Sequence, residues 1–233
     1  MIRFHKPRPV AWLFFITGLA VTLGLGTWQV QRLQWKENLL ATIAQANTDA
    51  PLIILPATET ELKPLEFRRV SIKGTWVPNV EFTLLPRYFK GTVGYWVITP
   101  LKLTDGRVLL VNRGWVPTQK KDAEKRPETS VKGRATVDGL LRVGPERSTF
   151  TPKNQPERNL WFGRDMAEMA ANAKLENVVP AMLDVVGTQD VTHLPVPSDG
   201  IIRLRNDHLS YILTWYGIAL GMLVIFVVYH RKK

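Results

Sequence analysis

The chain has 233 residues, 45% of them hydrophobic, carries a formal net charge of +11 and contains no cysteine. The missing thiols exclude disulfides, thiolate nucleophiles, iron–sulfur ligation and covalent c-type haem attachment. The charge does not argue for nucleic acid: six units of it sit in the two tails, and the middle shows no basic-aromatic stripe of the kind single strands need.

In chain order, Arg3, Lys6 and Arg8 precede an uncharged apolar run at residues 10–28. Its length suits a helix crossing a hydrocarbon layer of roughly 30 Å. It exceeds a signal-peptide core and lacks a small-x-small cleavage site, so it reads as a retained span. A helical pattern continues beyond it, with Trp28, Arg32 and Trp35 on one face, and weakens at Asn47-Thr48-Asp49 before Pro51. A short irregular or helical stretch follows at 56–66.

Strands come next. Residues 69–76 alternate, and 81–85 is a second short candidate. Residues 94–116 predict a β-hairpin turning at Asp105-Gly106. In its second arm, Asn112-Arg113-Gly114-Trp115, the glycine signals a bulge or close backbone approach. Arg113 reads either as a surface arginine on a sheet edge or as a partner for a carboxylate. The charged stretch 119–129 reads as an exposed loop and 132–142 as a strand. A second loop is expected at 148–159, a helix at 164–175, and strands from Pro180 through Val186 and at 200–205. The expected fold is an α+β membrane protein: two transmembrane helices, a hairpin, flanking an antiparallel, partly barrel-like β domain with one or two helices.

A second uncharged run fills 209–229 and is followed by Arg231, Lys232 and Lys233. Basic flanks resist translocation, which places both tails in the cytoplasm and the domain outside it. The expected division is a tail at 1–9, spans at 10–30 and 208–229 enclosing an external domain at 31–207, and a tail at 230–233.

On a helix His208, Tyr211 and Trp215 share one face. Tryptophan and tyrosine there read as an interfacial belt; an imidazole at the rim of a bilayer can also ligate iron in a planar apolar group. Gly18, Thr22 and Gly26 on the first span, and Gly217 and Gly221 on the second, predict close helix packing, with each other or with a partner's helices. His5, His193 and His230 are assigned to solvent. The chain has no HExxH, GxSxG, P-loop or GxGxxG motif, which disfavours an enzyme with a side-chain catalytic centre.

Four blocks resemble the surfeit locus protein 1 family of cytochrome c oxidase assembly factors: LGTWQVQRLQWK at 25–36, GYWVITPL at 94–101, VNRGWVP at 111–117 and NDHLSYILTWY at 206–216. They stand in the family's order and span nearly the whole chain. The resemblance implies a membrane-anchored factor that binds haem A and assists its insertion into oxidase subunit I, working with other assembly factors. His208 matches the family histidine held to contact haem and would be the metal ligand. Trp28, Tyr211 and Trp215 would cover the macrocycle, and Arg32 or Arg113 would meet its propionates. Gly74 matches a structural glycine of the family. The expected location is a bacterial inner membrane, or the mitochondrial inner membrane in a eukaryote. The alternatives are a scaffold that holds a subunit I intermediate without haem, and a membrane-bound enzyme.

Overall fold

The computed structural model describes residues 8–144, 150–201 and 206–231, and for 85–87 the backbone alone. By contact the chain divides into a helical unit, residues 1–42 with 202–233, and a β unit, residues 43–201.

Helix α1 runs Pro9–Thr48 and α4 runs His208–His230. At 1.5 Å per residue α1 is about 60 Å long, roughly twice a hydrocarbon core. Both helices are long and apolar enough to cross a membrane. Leu13, Phe14, Leu213, Leu220, Ile225 and Val228 are each more than 60% exposed. So much uncovered apolar surface on two helices of this length calls for lipid around them, and the protein is a membrane protein.

The helices pack on each other in antiparallel register. Trp12 and Phe15 meet Phe226, with the two phenylalanine rings stacked at 4.1 Å between centroids. A Cβ on Gly18 would lie 2.5 Å from Met222 Cε, and one on Gly26 would lie 2.9 Å from the Tyr216 ring. Thr22 is buried between these two levels. The small face predicted for the first span is therefore its contact with α4. The small pair on α4 is not part of that contact: a Cβ on Gly217 or Gly221 would meet nothing within 4 Å. His230, expected in solvent, is buried, its Nδ1 2.8 Å from the Phe226 carbonyl and its ring against that of Phe226.

In the β unit, a capped turn of helix, α2 (Glu59–Leu62), precedes β1 (Arg69–Trp76), β2 (Phe82–Phe89), β3 (Thr92–Leu103) and β4 (Val108–Pro117). Strand β5 (Arg134–Val143), helix α3 (Met166–Asn172) and strand β6 (Val178–Val185) complete it. The predicted strand at 200–205 falls mostly on 202–205, outside the described residues. The sheet runs β1-β5-β6-β4-β3-β2, and β1 also pairs with β3, which closes five strands into a barrel and leaves β2 beside β3. Every pairing is antiparallel except β4 with β6. This follows from the strand number: an odd ring cannot alternate direction throughout, so one neighbouring pair must run parallel.

Alternation along the strands fills two cores. Val70, Ile72, Leu101, Leu109, Leu141 and Leu183 come from all five barrel strands and form the interior. Phe82, Ile98, Leu110 and Met182 face the opposite way and are covered by Trp161, Met166 and Met169 of the α3 region. Gly74 sits where β1 turns from β5 to β3; a side chain there would collide with the Lys102 carbonyl and Leu101, so its smallness permits closure.

Candidate functional site

Two sets of polar groups stand out, one in each unit. In the helical unit, His208 is the first residue of α4 and its Nδ1 lies 2.6 Å from Oε1 of Gln29 on α1. Gln29 is 8% exposed and continues the packing face of Gly18, Thr22 and Gly26 by one turn. An amide oxygen only accepts, so with Oε1 assigned to this contact Nδ1 is the ring atom that carries hydrogen. Nε2 then holds the lone pair. A fixed tautomer with one nitrogen tied to a neighbouring acceptor is the arrangement found behind metal-ligating histidines.

Around this pair, Trp28 and Tyr211 are about half exposed and Trp215 is half-buried. The Arg32 guanidinium stacks over the Trp35 ring, 3.9 Å from its centroid. Two turns into α4, the Tyr216 hydroxyl is 3.3 Å from Thr27 Oγ1, a second polar link between the helices. The structure thus brings His208 onto Gln29 of α1. Gln29 is the residue that sequence reasoning passed over. The available signal was its spacing, three residues beyond Gly26 on the small face, where a polar side chain must find a partner.

Arg113, expected beside the same group, belongs to the β unit and has surroundings of its own. It is the extra residue of a β-bulge: Ile98 pairs with Asn112 and Val97 with Gly114, leaving Arg113 opposite nothing. The bulge is built by its neighbours. Asn112 Oδ1 accepts from the Gly114 N–H at 3.1 Å, while its Nδ2 donates to Asp184 at 2.9 Å. Gly114 has φ +129°, and a Cβ on it would lie 2.2 Å from the Val196 carbonyl oxygen. Both the bulge and the close approach that Gly114 signalled are present. Strand β4 is central, between β3 and β6, so the edge reading of Arg113 does not hold.

The side chain of Arg113 donates to the Thr129 carbonyl and enters a cavity of about 400 Å³ with Glu81, Arg126 and Thr99 among its walls. The expected exposed loop at 119–129 is exposed along most of its length, but Arg126 and Thr129 within it are buried. The segment forms three short turns around Arg126, which is 1% exposed, pairs with both oxygens of Glu81 and donates to the carbonyls of Lys120 and Lys121. Composition alone hid this, because one buried arginine carries the fold of a stretch that is otherwise charged and wet. His193 is exposed as expected and pairs with Asp190 at 2.8 Å.

Comparison with known proteins covers most of the chain. A family model described as the SURF1 family matches residues 16–220. A SURF1-like protein of Monosiga brevicollis is 37% identical over 226 residues, 91% of this chain and 84% of its own length. Surfeit locus protein 1 of Homo sapiens is 37% identical over 212 residues, 84% of this chain and 69% of its own length. That of Takifugu rubripes is 37% identical over 216 residues, 86% of this chain and 88% of its own length.

Proposed function

Because this chain belongs to the SURF1 family, we propose that it is an assembly factor for a haem-copper (cytochrome c) oxidase that binds haem A beside His208 and assists its insertion into subunit I. The observation that carries the reading is the 2.6 Å contact between His208 Nδ1 and Gln29 Oε1, which leaves Nε2 as the atom able to hold iron. The residues present fit such a cargo. Trp28, Tyr211 and Trp215 offer flat apolar area on the two helices that carry the His208–Gln29 pair, and Arg32 offers a guanidinium for a propionate. The macrocycle supplies an iron centre and its own redox chemistry; this chain supplies an oriented ligand and an apolar surround. Transfer is favoured by a single neutral ligand that can be exchanged, and the role is non-catalytic. The basic flanks favour both tails on the cytoplasmic side of a bacterial inner membrane (the matrix side in a mitochondrion), with the β unit across it.

The test is purification in detergent from cells that synthesise haem A. The wild type is expected to carry haem with a characteristic optical spectrum, and His208→Ala is expected to lose it. Unchanged occupancy and spectrum in the variant would remove His208 as the ligand.

One observation favours a second reading, a scaffold that holds a subunit I intermediate without haem. The Gly217 and Gly221 surface of α4 lies open, and small-residue faces suit close approach by another helix. Crosslinking from cysteines placed at these positions separates the readings: capture of an oxidase subunit by haem-free protein supports the scaffold, and its failure counts against it.

A further inference from the structure

The Arg113 cavity has unmet hydrogen-bonding capacity that matches an anion, whatever the helical unit binds. A guanidinium presents five N–H groups in a planar fork. Among the described residues Arg113 uses one hydrogen bond, to the Thr129 carbonyl, and its Cζ lies 6.0 Å from the centre of the Trp76 ring. Glu81, the carboxylate in the cavity wall, is committed elsewhere, with both oxygens on Arg126. Arg113, Arg126 and Lys132 therefore line the cavity against a single acid.

Charge in this setting is costly. Burial pulls the pKa of Arg113 down to about 10; Glu81 works against that fall and the Arg126 charge adds to it. A half-buried cation without a counter-charge of its own is stabilised by an anion that reaches it. The second observation is independent of charge. Thr99 is 4% exposed, lines the same cavity, and its hydroxyl has no hydrogen-bond partner. Buried hydroxyls in folded proteins are nearly always satisfied, so this one marks a place for an acceptor.

We propose that this cavity is a binding site for a carboxylate-bearing ligand, gripped by the free edge of the Arg113 fork and by the Thr99 hydroxyl. A planar fork and one hydroxyl match the two oxygens of a carboxylate, whereas a phosphate dianion brings more acceptor oxygens than these donors satisfy. The bulge gives the site its rigidity: Asn112 and Gly114 fix the backbone from which Arg113 projects. The carboxylate can belong to a small molecule or to an acidic side chain of a polypeptide, and the two sources separate by experiment.

The full chain in detergent is treated with phenylglyoxal at constant ionic strength, and modification of Arg113 and of the exposed Arg134 is followed by peptide mass spectrometry. Propionate at about ten times its half-effect concentration is expected to slow modification of Arg113 about tenfold by mass action and to leave Arg134 unchanged. Thr99→Val is expected to raise the half-effect concentration several-fold. A glutamate-containing tetrapeptide that protects at a much lower concentration than propionate assigns the ligand to a polypeptide, and equal potency assigns it to a small molecule. No protection of the wild type by either probe, or equal protection by chloride, overturns the site.

Discussion

Gln29 and Gly114 show how one residue sets up another. Gln29 touches no ligand in the proposed haem site, yet it fixes which imidazole nitrogen of His208 is free. Gln29→Leu removes the acceptor, so the ring loses both its tautomer and its orientation; losses at such supporting positions run to about 10–100-fold in metal affinity. Haem titration followed optically should show a weakening of that order with unchanged helix content, while Gln29→Glu, which keeps an acceptor, should retain most of the affinity. At Gly114 the penalty falls on stability. A Cβ there meets the Val196 carbonyl at 2.2 Å with φ at +129°. Strain and overlap together should make Gly114→Ala cost about 3 kcal/mol. For a domain of this size that lowers Tm by roughly 6–12 °C, measurable by thermal unfolding. The glycine was legible in the sequence, because bulge geometry demands a residue type. The glutamine was not, since its meaning depends on which helix lies opposite.

Among the elements, the turns at 118–129 are organised by charge more than by apolar burial. Arg126 donates to Glu81, to the Thr129 hydroxyl and to the Lys120 and Lys121 carbonyls, and it is almost fully buried. Arg126→Met leaves a half-buried carboxylate and orphaned carbonyls, and breaking such a pair from one side costs about 3–5 kcal/mol. Adding Glu81→Leu removes the stranded charge, so the double variant should be more stable than Arg126→Met alone. Chemical denaturation of the four proteins of this cycle measures the coupling, and strict additivity would show that the pair is not a unit. Strands were easier to read than these turns. The alternation in β1 and the Asp105-Gly106 turn between β3 and β4 are local signals, and Leu103 N–H does bond back to the Arg107 carbonyl across that turn at 2.7 Å. A buried arginine in a charged stretch has no period and no composition to betray it.

For the molecule as a whole, the odd barrel accounts for its own burial, whereas the helix pair leaves most of its apolar surface uncovered. Neighbour relations such as β6 between β5 and β4, parallel to the latter, are non-local and so lay beyond sequence patterns, whereas the two apolar runs and the α+β class did not. The barrel interior is filled by strands that all lie within residues 43–201, and its outer face is covered by Trp161 and α3 from the same unit. A unit that closes its sheet and supplies both of its cores contains what cooperative folding requires. The fragment 43–201, made without α1's membrane portion and without α4, is therefore expected to be soluble and to unfold in one cooperative step. Trp161 is fully buried and edge-on to Phe82 at 5.4 Å, an asymmetric setting that should give the fragment a strong near-ultraviolet circular dichroism signal. Loss of that signal while far-ultraviolet β content persists would mean that the tertiary packing depends on the membrane helices, and the division into two self-sufficient units would fail.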